Sequence, residues 1–288
     1  MSRIAYVNGA YLPQRDAAVN VEDRGYQFGD GIYEVVHLRR GRFTDWDLHF
    51  ARLERSLCAV RIGLPMCRAA LENVLREVAS RNRITEGLIY MQVTRGVAPR
   101  NHAFPEPAPA PALVVTARRI PPYPTNVDRW TTTVISHPDE RWARCDIKST
   151  GLLPNVLARQ AAHQQGASEA ILVDAEGFVT EGAATSFWIV DDEGRLRCPP
   201  LGNEILPGCT RAALVAELRE EGIAFEPGAF TLKEARSARE AFLTSATSFV
   251  KPVVAIDGTP VGDGAVGPLT RRLFAVFARH VQGATGNA

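Results

Sequence analysis

Apolar and polar residues alternate in IAYVNGAYL, and the Asn8-Gly9 pair at its centre suits a two-residue turn, so the chain opens on a predicted hairpin. IYEVVHLRRGRFT predicts a second hairpin, turning at Arg40-Gly41. The period then lengthens to that of a helix. WDLHFARLERSLCAV places Leu48, Leu53, Leu57 and Val60 on one face, with Gly63 and Pro65 to stop it, and CRAALENVLREVASRN repeats the pattern with Leu71, Val74, Leu75 and Val78. LIYMQVTRG and LVVTA read as strands. Between them GVAPRNHAFPEPAPAPA carries five prolines from Pro99 to Pro111, which exclude a helix or a central strand. As a bare pattern it is a linker, yet it also carries Arg100, His102 and Phe104, which a spacer does not need.

IPPYPTN, residues 120–126, is proline-rich and lacks such groups, so it is the better domain linker. Beyond it WTTTVIS is a strand and LPNVLARQAAHQQG a helix, with Pro154 in its first turn and Gly166 at its end. EAILVDAEGFVTEG and SFWIVDDEGRLRCP are strand–turn–strand units. TRAALVAELREEG is a helix ending at Gly222, and FTLKEARSA opens a helix with a capping box, Thr231 with Glu234. AFLTSA is a strand, VVAIDGTPV an Asp-Gly hairpin, and PLTRRLFAVFARHVQ a closing amphipathic helix. Strands and helices do not alternate regularly, which favours α+β over a doubly wound parallel sheet. The expected organisation is a smaller α+β domain over 1–120 with a binding loop at 96–111, a linker at 121–126, and a larger domain over 127–288.

Composition narrows the function classes. The 288 residues are 45% hydrophobic and 23% charged, ordinary globular values. A net charge of +1 gives no reason to expect nucleic acid or an anionic membrane as partner. The five cysteines are scattered and form no CxxC pair, so neither a zinc site nor a disulfide framework is expected. MSRIAYVNGAYLP lacks the plan of a signal peptide, and no apolar run reaches about 18 residues, the span of a membrane helix. A reduced, cytoplasmic protein is expected. His37, His49, His137, His163 and His280 make no metal-ligand pattern and read as surface or helix-face residues.

The stretch RCDIKSTGLLPN raises a chemical question, because Lys148 stands between two predicted elements rather than on a helix face. A lysine that forms a Schiff base with an aldehyde cofactor must be held in place and able to lose its proton. A pyridine cofactor also needs an acid at its ring nitrogen, and its phosphate needs backbone N–H groups at a helix start with a cation beside them. Glu181 in VTEG, the glycine turn of LPGCTRAAL with the N–H groups of Cys209 and Thr210, and Arg52 on the first long helix match these needs. Each also has a plainer reading: Glu181 as a turn carboxylate, Gly208-Cys209-Thr210 as an ordinary helix cap, Arg52 as a solvated helix arginine.

The ordered blocks EDRGYQFGDGIYE, HFARLERS, YMQVTRGVAPRNHAFPE, RCDIKSTGLLPNVLA, EAILVDAEGFVTEG, ILPGCTR, FLTSATS and KPVVAIDG resemble the fold-type IV enzymes that use pyridoxal 5′-phosphate (PLP). That class contains D-amino-acid aminotransferases, branched-chain aminotransferases and aminodeoxychorismate lyases. Tyr33, and the Arg100–His102 pair, make the resemblance closest to the D-amino-acid aminotransferases. It implies a two-domain α+β fold with the cofactor between the domains, and ping-pong transfer of an amino group from a D-amino acid to a 2-oxo acid. It implies that Lys148 is the covalent attachment point and proton shuttle, and that Glu181 pairs with the pyridine nitrogen. Arg52, the Cys209–Thr210 backbone and Ser245 would hold phosphate, Leu206 would pack on the ring, and Arg141 would lie near the ring hydroxyl. Tyr33, Arg100 and His102 would trap the substrate carboxylate, the latter pair lent by a second subunit of a homodimer. An arginine fork suits that task because it pairs with a carboxylate through two parallel hydrogen bonds. The chain departs from the family at Ala183-Ala184-Thr185-Ser186, where relatives have a serine-rich run ending in Asn, and at Ala246, where many carry a hydroxyl. A changed cofactor affinity is expected there. A branched-chain aminotransferase, a lyase on the same fold, and a non-catalytic binding protein are the rival readings.

Overall fold

The computed structural model describes residues 3–283, so Met1, Ser2 and the last five residues of the expected 127–288 domain lie outside the described residues. The chain forms two compact units. The first runs through Pro122 and takes back Ile147–Gly151; the second comprises Tyr123–Asp146 and the chain from Leu152 onward.

The first unit is built on β1 (Ile4–Val7), β2 (Ala10–Pro13), α1 (Arg24–Phe28), β3 (Gly31–Arg39), β4 (Arg42–Phe43), α2 (Trp46–Ala59), α3 (Arg68–Arg81), β5 (Glu86–Thr94) and β6 (Ala112–Arg119). The six strands form one antiparallel sheet in the order β2-β1-β6-β5-β3-β4. Both hairpins turn where the sequence places them. Asn8 and Gly9 have φ of 47° and 100°, and Arg40 and Gly41 have 47° and 77°, the left-handed pair such a turn requires. Strand period divides the sheet faces. Ile32, Val36, Ile89, Met91 and Val115 face Leu53, Leu57, Leu71, Leu75 and Val78 of α2 and α3 in one buried core. Tyr33, Val35, Tyr90, Gln92, Val114 and Thr116 alternate with them and remain half-buried on the other face. α1 is too short for the helical period to reveal.

The second unit contains β7 (Thr132–Pro138), α4 (Leu153–Gln164), β8 (Glu169–Val173), β9 (Val179–Gly182), β10 (Ser186–Val190), β11 (Leu196–Arg197), α5 (Cys209–Glu220), α6 (Leu232–Ser237), β12 (Glu240–Ser245), β13 (Phe249–Ile256), β14 (Thr259–Pro260) and α7 (Pro268–Gly283). Its sheet runs β11-β10-β12-β13-β7-β8-β9, with β14 on β13; β7 pairs parallel to both β13 and β8, and the other pairs are antiparallel. Trp188, Val190 and Phe242 pack one face against α5 and α7, while Phe187, Ile189, Ala241 and Leu243 pack the other with Phe230 and Ala235. A sheet covered on both faces reads as continuous apolar runs, as SFWIV and EAILV do. The capping box at Thr231 is present in full.

Two histidines depart from expectation. His37 and His49 are buried. His37 lies in β3, and burial, helped by the nearby Arg39, lowers its pKa to about 4. His49 is drawn inward by a carboxylate partner described below.

Candidate functional site

Lys148 lies on Ile147–Gly151, an irregular segment that runs beside the start of β3. Tyr33 donates its N–H to the Lys148 carbonyl at 3.0 Å, and Thr150 donates its own to the Gly31 carbonyl at 3.0 Å. The Thr150 hydroxyl donates to the Gly29 carbonyl at 3.0 Å, and the Lys148 N–H reaches Ser56 Oγ of α2 at 3.4 Å. These bonds fix a segment that has no regular structure of its own. Lys148 Nζ sits 4.2 Å from the centre of the Tyr33 ring, and Tyr90 stacks on that ring with centroids 5.7 Å apart. Tyr33 and Lys148 are therefore brought together on the half-open sheet face.

Arg52 is buried, not solvated, because Glu34 of β3 receives it. Arg52 Nε donates to Glu34 Oε1 at 2.7 Å and Nη2 to Oε2 at 2.8 Å, while His49 Nδ1 lies 2.8 Å from Oε2. Burial works to raise the Glu34 pKa, but Arg52 and His49 outweigh it and hold the carboxyl well below its ordinary value. Glu34 escapes sequence reasoning, since nothing in the strand pattern distinguishes an inward carboxylate; the His49–Arg52 spacing on one helix face is the signal available.

In the second unit, Glu181 lies buried on β9, and Arg141 donates to it through Nη1. Arg141 also grips Asp139, Nε to Oδ1 at 2.8 Å and Nη2 to Oδ2 at 2.7 Å, and donates to the Glu204 carbonyl at 3.0 Å. Burial works to lower the Arg141 pKa, but Asp139 and Glu181 offset it and raise the value, so the guanidinium stays charged. The Leu206 N–H points at both Glu181 oxygens, 3.3 Å from each. Arg141, Glu181 and Leu206 thus form one cluster.

α5 begins at Cys209 after an N-cap glycine, Gly208, whose cap makes no side-chain hydrogen bond. The first-turn N–H groups of Cys209 and Thr210 face no carbonyl of their own helix. A Cβ at Gly208 would come within 3.0 Å of Ser186 Oγ, so the approach to this helix start admits only glycine without a shift. Ser245 is occupied differently from expectation. Its Oγ lies 2.9 Å from Thr247 Oγ1 and 2.8 Å from Ser248 Oγ, and it accepts from the N–H of Ser248 at 3.2 Å, closing its own turn.

The proline-rich segment is an ordered loop. The Arg100 guanidinium sits 4.7 Å from the Phe28 ring centre, and the His102 ring lies 5.4 Å from the same ring. Phe28, Arg24, Asp30 and Arg95, which hold this loop, lie in or beside the motif quoted for the resemblance, but no pattern in them announces that task.

Comparisons with known proteins place the chain as a whole. The family model described as amino-transferase class IV matches residues 31–256. The chain is 41% identical over 283 residues to a D-alanine aminotransferase of Listeria monocytogenes, covering 97% of this chain and 96% of the relative. It is 40% identical over 278 residues to a D-alanine aminotransferase of Staphylococcus haemolyticus, covering 96% and 97%. Among solved structures, a branched-chain amino acid aminotransferase of T.th. with pyridoxamine 5′-phosphate matches with a TM-score of 0.88 at 25% identity, over 100% of this chain and 96% of that one. The branched-chain amino acid aminotransferase of Escherichia coli matches at 0.87 and 23%, over 97% and 94%.

Proposed function

Because the chain belongs to the class IV aminotransferases, we propose that it transfers the amino group of a D-amino acid, such as D-alanine, D-glutamate or D-aspartate, to a 2-oxo acid with pyridoxal 5′-phosphate as cofactor. The observation that carries the reading is the 41% identity to a D-alanine aminotransferase across nearly the whole chain, against 23% and 25% to branched-chain enzymes of the same fold.

The residues present fit the cofactor. Glu181 is a buried carboxylate for a ring nitrogen, α5 offers first-turn N–H groups behind a tight glycine approach, and Lys148 offers an amine beside Tyr33. Bound there, pyridoxal phosphate supplies an aldehyde for the amino group and a protonated ring that accepts the electron pair left when the substrate's α-proton departs. Lys148, whose Nζ lies beside Tyr33, would be the residue that holds the cofactor through its amine and that carries the proton leaving the substrate Cα. Glu181, its charge balanced by Arg141, would pair with the ring nitrogen, and Arg141 would serve the ring hydroxyl. Arg52, the N–H groups of Cys209 and Thr210, and Ser245 would hold the phosphate, and Leu206 would pack on the ring. Tyr33, Arg100 and His102 orient the substrate carboxylate.

We place the enzyme in the cytoplasm as a homodimer in which the Arg100–His102 loop serves the neighbouring subunit. No helix among the described residues is long and apolar enough to cross a membrane. The test is a single-turnover panel that follows the cofactor spectrum with D-alanine, D-glutamate and L-leucine, then with 2-oxoglutarate. Conversion by the D-amino acids is expected. Faster conversion by L-leucine would replace the reading with a branched-chain specificity, and pyruvate release without an acceptor would replace it with a lyase.

A further inference from the structure

Arg24 takes no part in the reading above, yet it is 3% exposed, at the first position of α1. A buried guanidinium needs a partner for its charge and acceptors for its N–H groups. Arg24 Nε lies 2.8 Å from Asp30 Oδ2. Its Nη1 donates to the Asn101 carbonyl and its Nη2 to the His102 carbonyl at 3.4 Å. These two acceptors lie at and immediately after the residue that separates Arg100 from His102. The Arg24 guanidinium also lies 4.8 Å from the centre of the Phe28 ring, the ring that meets Arg100 and His102. One side chain therefore touches the backbone of the loop and the aromatic platform of its two functional side chains.

Asp30 links this contact to a second one. Arg95, 7% exposed, donates to Asp30 through Nε at 2.7 Å and Nη2 at 2.9 Å, and its guanidinium lies 3.7 Å from the Phe104 ring centre. Nη2 and Nη1 of Arg95 also donate to the carbonyls of Val60 at 2.7 Å and Arg61 at 2.9 Å, which ties the pair to the end of α2. Burial works to raise the Asp30 pKa, but the two guanidiniums offset it and hold the carboxylate ionised. The loop crest, which has neither helix nor strand, is thus held at 101–102 by Arg24 and at 104 by Arg95, through one shared carboxylate.

We propose that Arg24 is a positioning residue for the carboxylate trap: through Asp30, the Asn101 and His102 carbonyls and Phe28, it sets the direction in which Arg100 and His102 meet a substrate carboxylate. The identity of that ligand rests on the aminotransferase reading. A fork pairs with a carboxylate only when its plane is aligned, so a loose loop loses affinity before it loses chemistry. Arg24 touches neither substrate nor cofactor in this scheme. Its removal spares an amine donor that has no carboxylate to orient.

The test compares Arg24→Met and Phe28→Leu holoenzymes with wild type in the half-reaction, using D-alanine and D-alaninol, which replaces the carboxylate by a hydroxymethyl group. The half-saturation concentration for D-alanine is expected to rise by about tenfold with little change in maximal rate, while the D-alaninol reaction keeps its wild-type rate constant. Arg24→Lys keeps the charge but loses the fork and is expected to fall between. Equal losses with both donors would assign Arg24 a merely structural role and overturn the proposal, as would unchanged D-alanine saturation. Phe28→Leu carries the same comparison should Arg24→Met fail to fold. Wild-type enzyme that converts D-alaninol but not D-alanine would instead sink the aminotransferase reading, and this proposal with it.

Discussion

Replacing Glu34 by Gln keeps the shape of a side chain that is 0% exposed and removes its charge. In the native protein that charge faces the Arg52 fork and His49, all within 2.7–2.8 Å. The neutral amide has one acceptor oxygen where the carboxylate has two, and its NH2 group is turned on donors. The dominant effect is the orphaned Arg52 cation. Breaking a buried pair by removing one partner costs about 3–5 kcal/mol, far more than the net worth of a pair left intact. With a urea slope near 3 kcal/mol/M this lowers the unfolding midpoint by roughly 1–1.7 M. Trp46 opens α2 and packs 5.7 Å from Phe50, so with Trp130, Trp142 and Trp188 replaced by Phe in every variant compared, tryptophan emission reports on this unit. The control is the double variant Glu34→Leu with Arg52→Met, which leaves no unpaired guanidinium and is expected to lose less than Glu34→Gln alone. The Glu34 pKa is depressed, so its contribution is full above its ordinary value and disappears only in strong acid. A loss below about 1 kcal/mol for Glu34→Gln at neutral pH would refute the argument, because it would mean that Arg52 does not depend on Glu34 for its charge balance.

His37 supplies a different pH dependence. Its folded pKa of about 4 lies below its ordinary value of 6.5, so stability is full above pH 6.5 and falls as pH drops toward 4. Between pH 7.5 and 5 the loss is about 2 kcal/mol, and His37→Leu is expected to flatten that part of a urea-midpoint profile against pH. At α6, Thr231→Ala removes the hydroxyl half of the capping box, leaving the residue-231 N–H on Glu234, and is expected to cost about 1 kcal/mol, with Thr231→Ser restoring most of it in the same titration.

The elements were legible because local chemistry decides them. The Asn8-Gly9 and Arg40-Gly41 turns, the apolar faces of α2 and α3 (save Leu48, which is exposed), and the capping box at Thr231 each depend on residues close in sequence. Lys148 and Glu181 stand in quoted blocks and Arg141 lies just ahead of one; the structure pairs Arg141 with Glu181. What escaped depends on contacts between distant positions. Glu34 reads as one polar residue in a strand and turns out to sit in the core opposite Arg52, which only the sheet's placement against α2 reveals. Arg24 and Arg95 draw no notice in the sequence, and only the structure shows Asp30 between them. Ser245 was legible as a hydroxyl, but not as one that Thr247 and Ser248 draw into a local turn.

The way Lys148 is held also bears on how the protein is made. The strand edge that receives Ile147–Gly151 belongs to a unit whose other described residues have all been synthesised once Pro122 is reached. Until the chain has passed through Tyr123–Asp146 and come back, the Gly31 carbonyl and the Tyr33 N–H lack the partners they have in the finished protein. A fragment that stops at Pro122 would expose this edge to other chains, so shortened versions of the first unit are prone to associate through it. Closing the edge joins residues more than about a hundred positions apart, an entropic cost that places it late in folding. A half-made chain therefore carries Lys148, if at all, as a loose amine, without the Tyr33 ring and the backbone bonds that hold it in the finished protein.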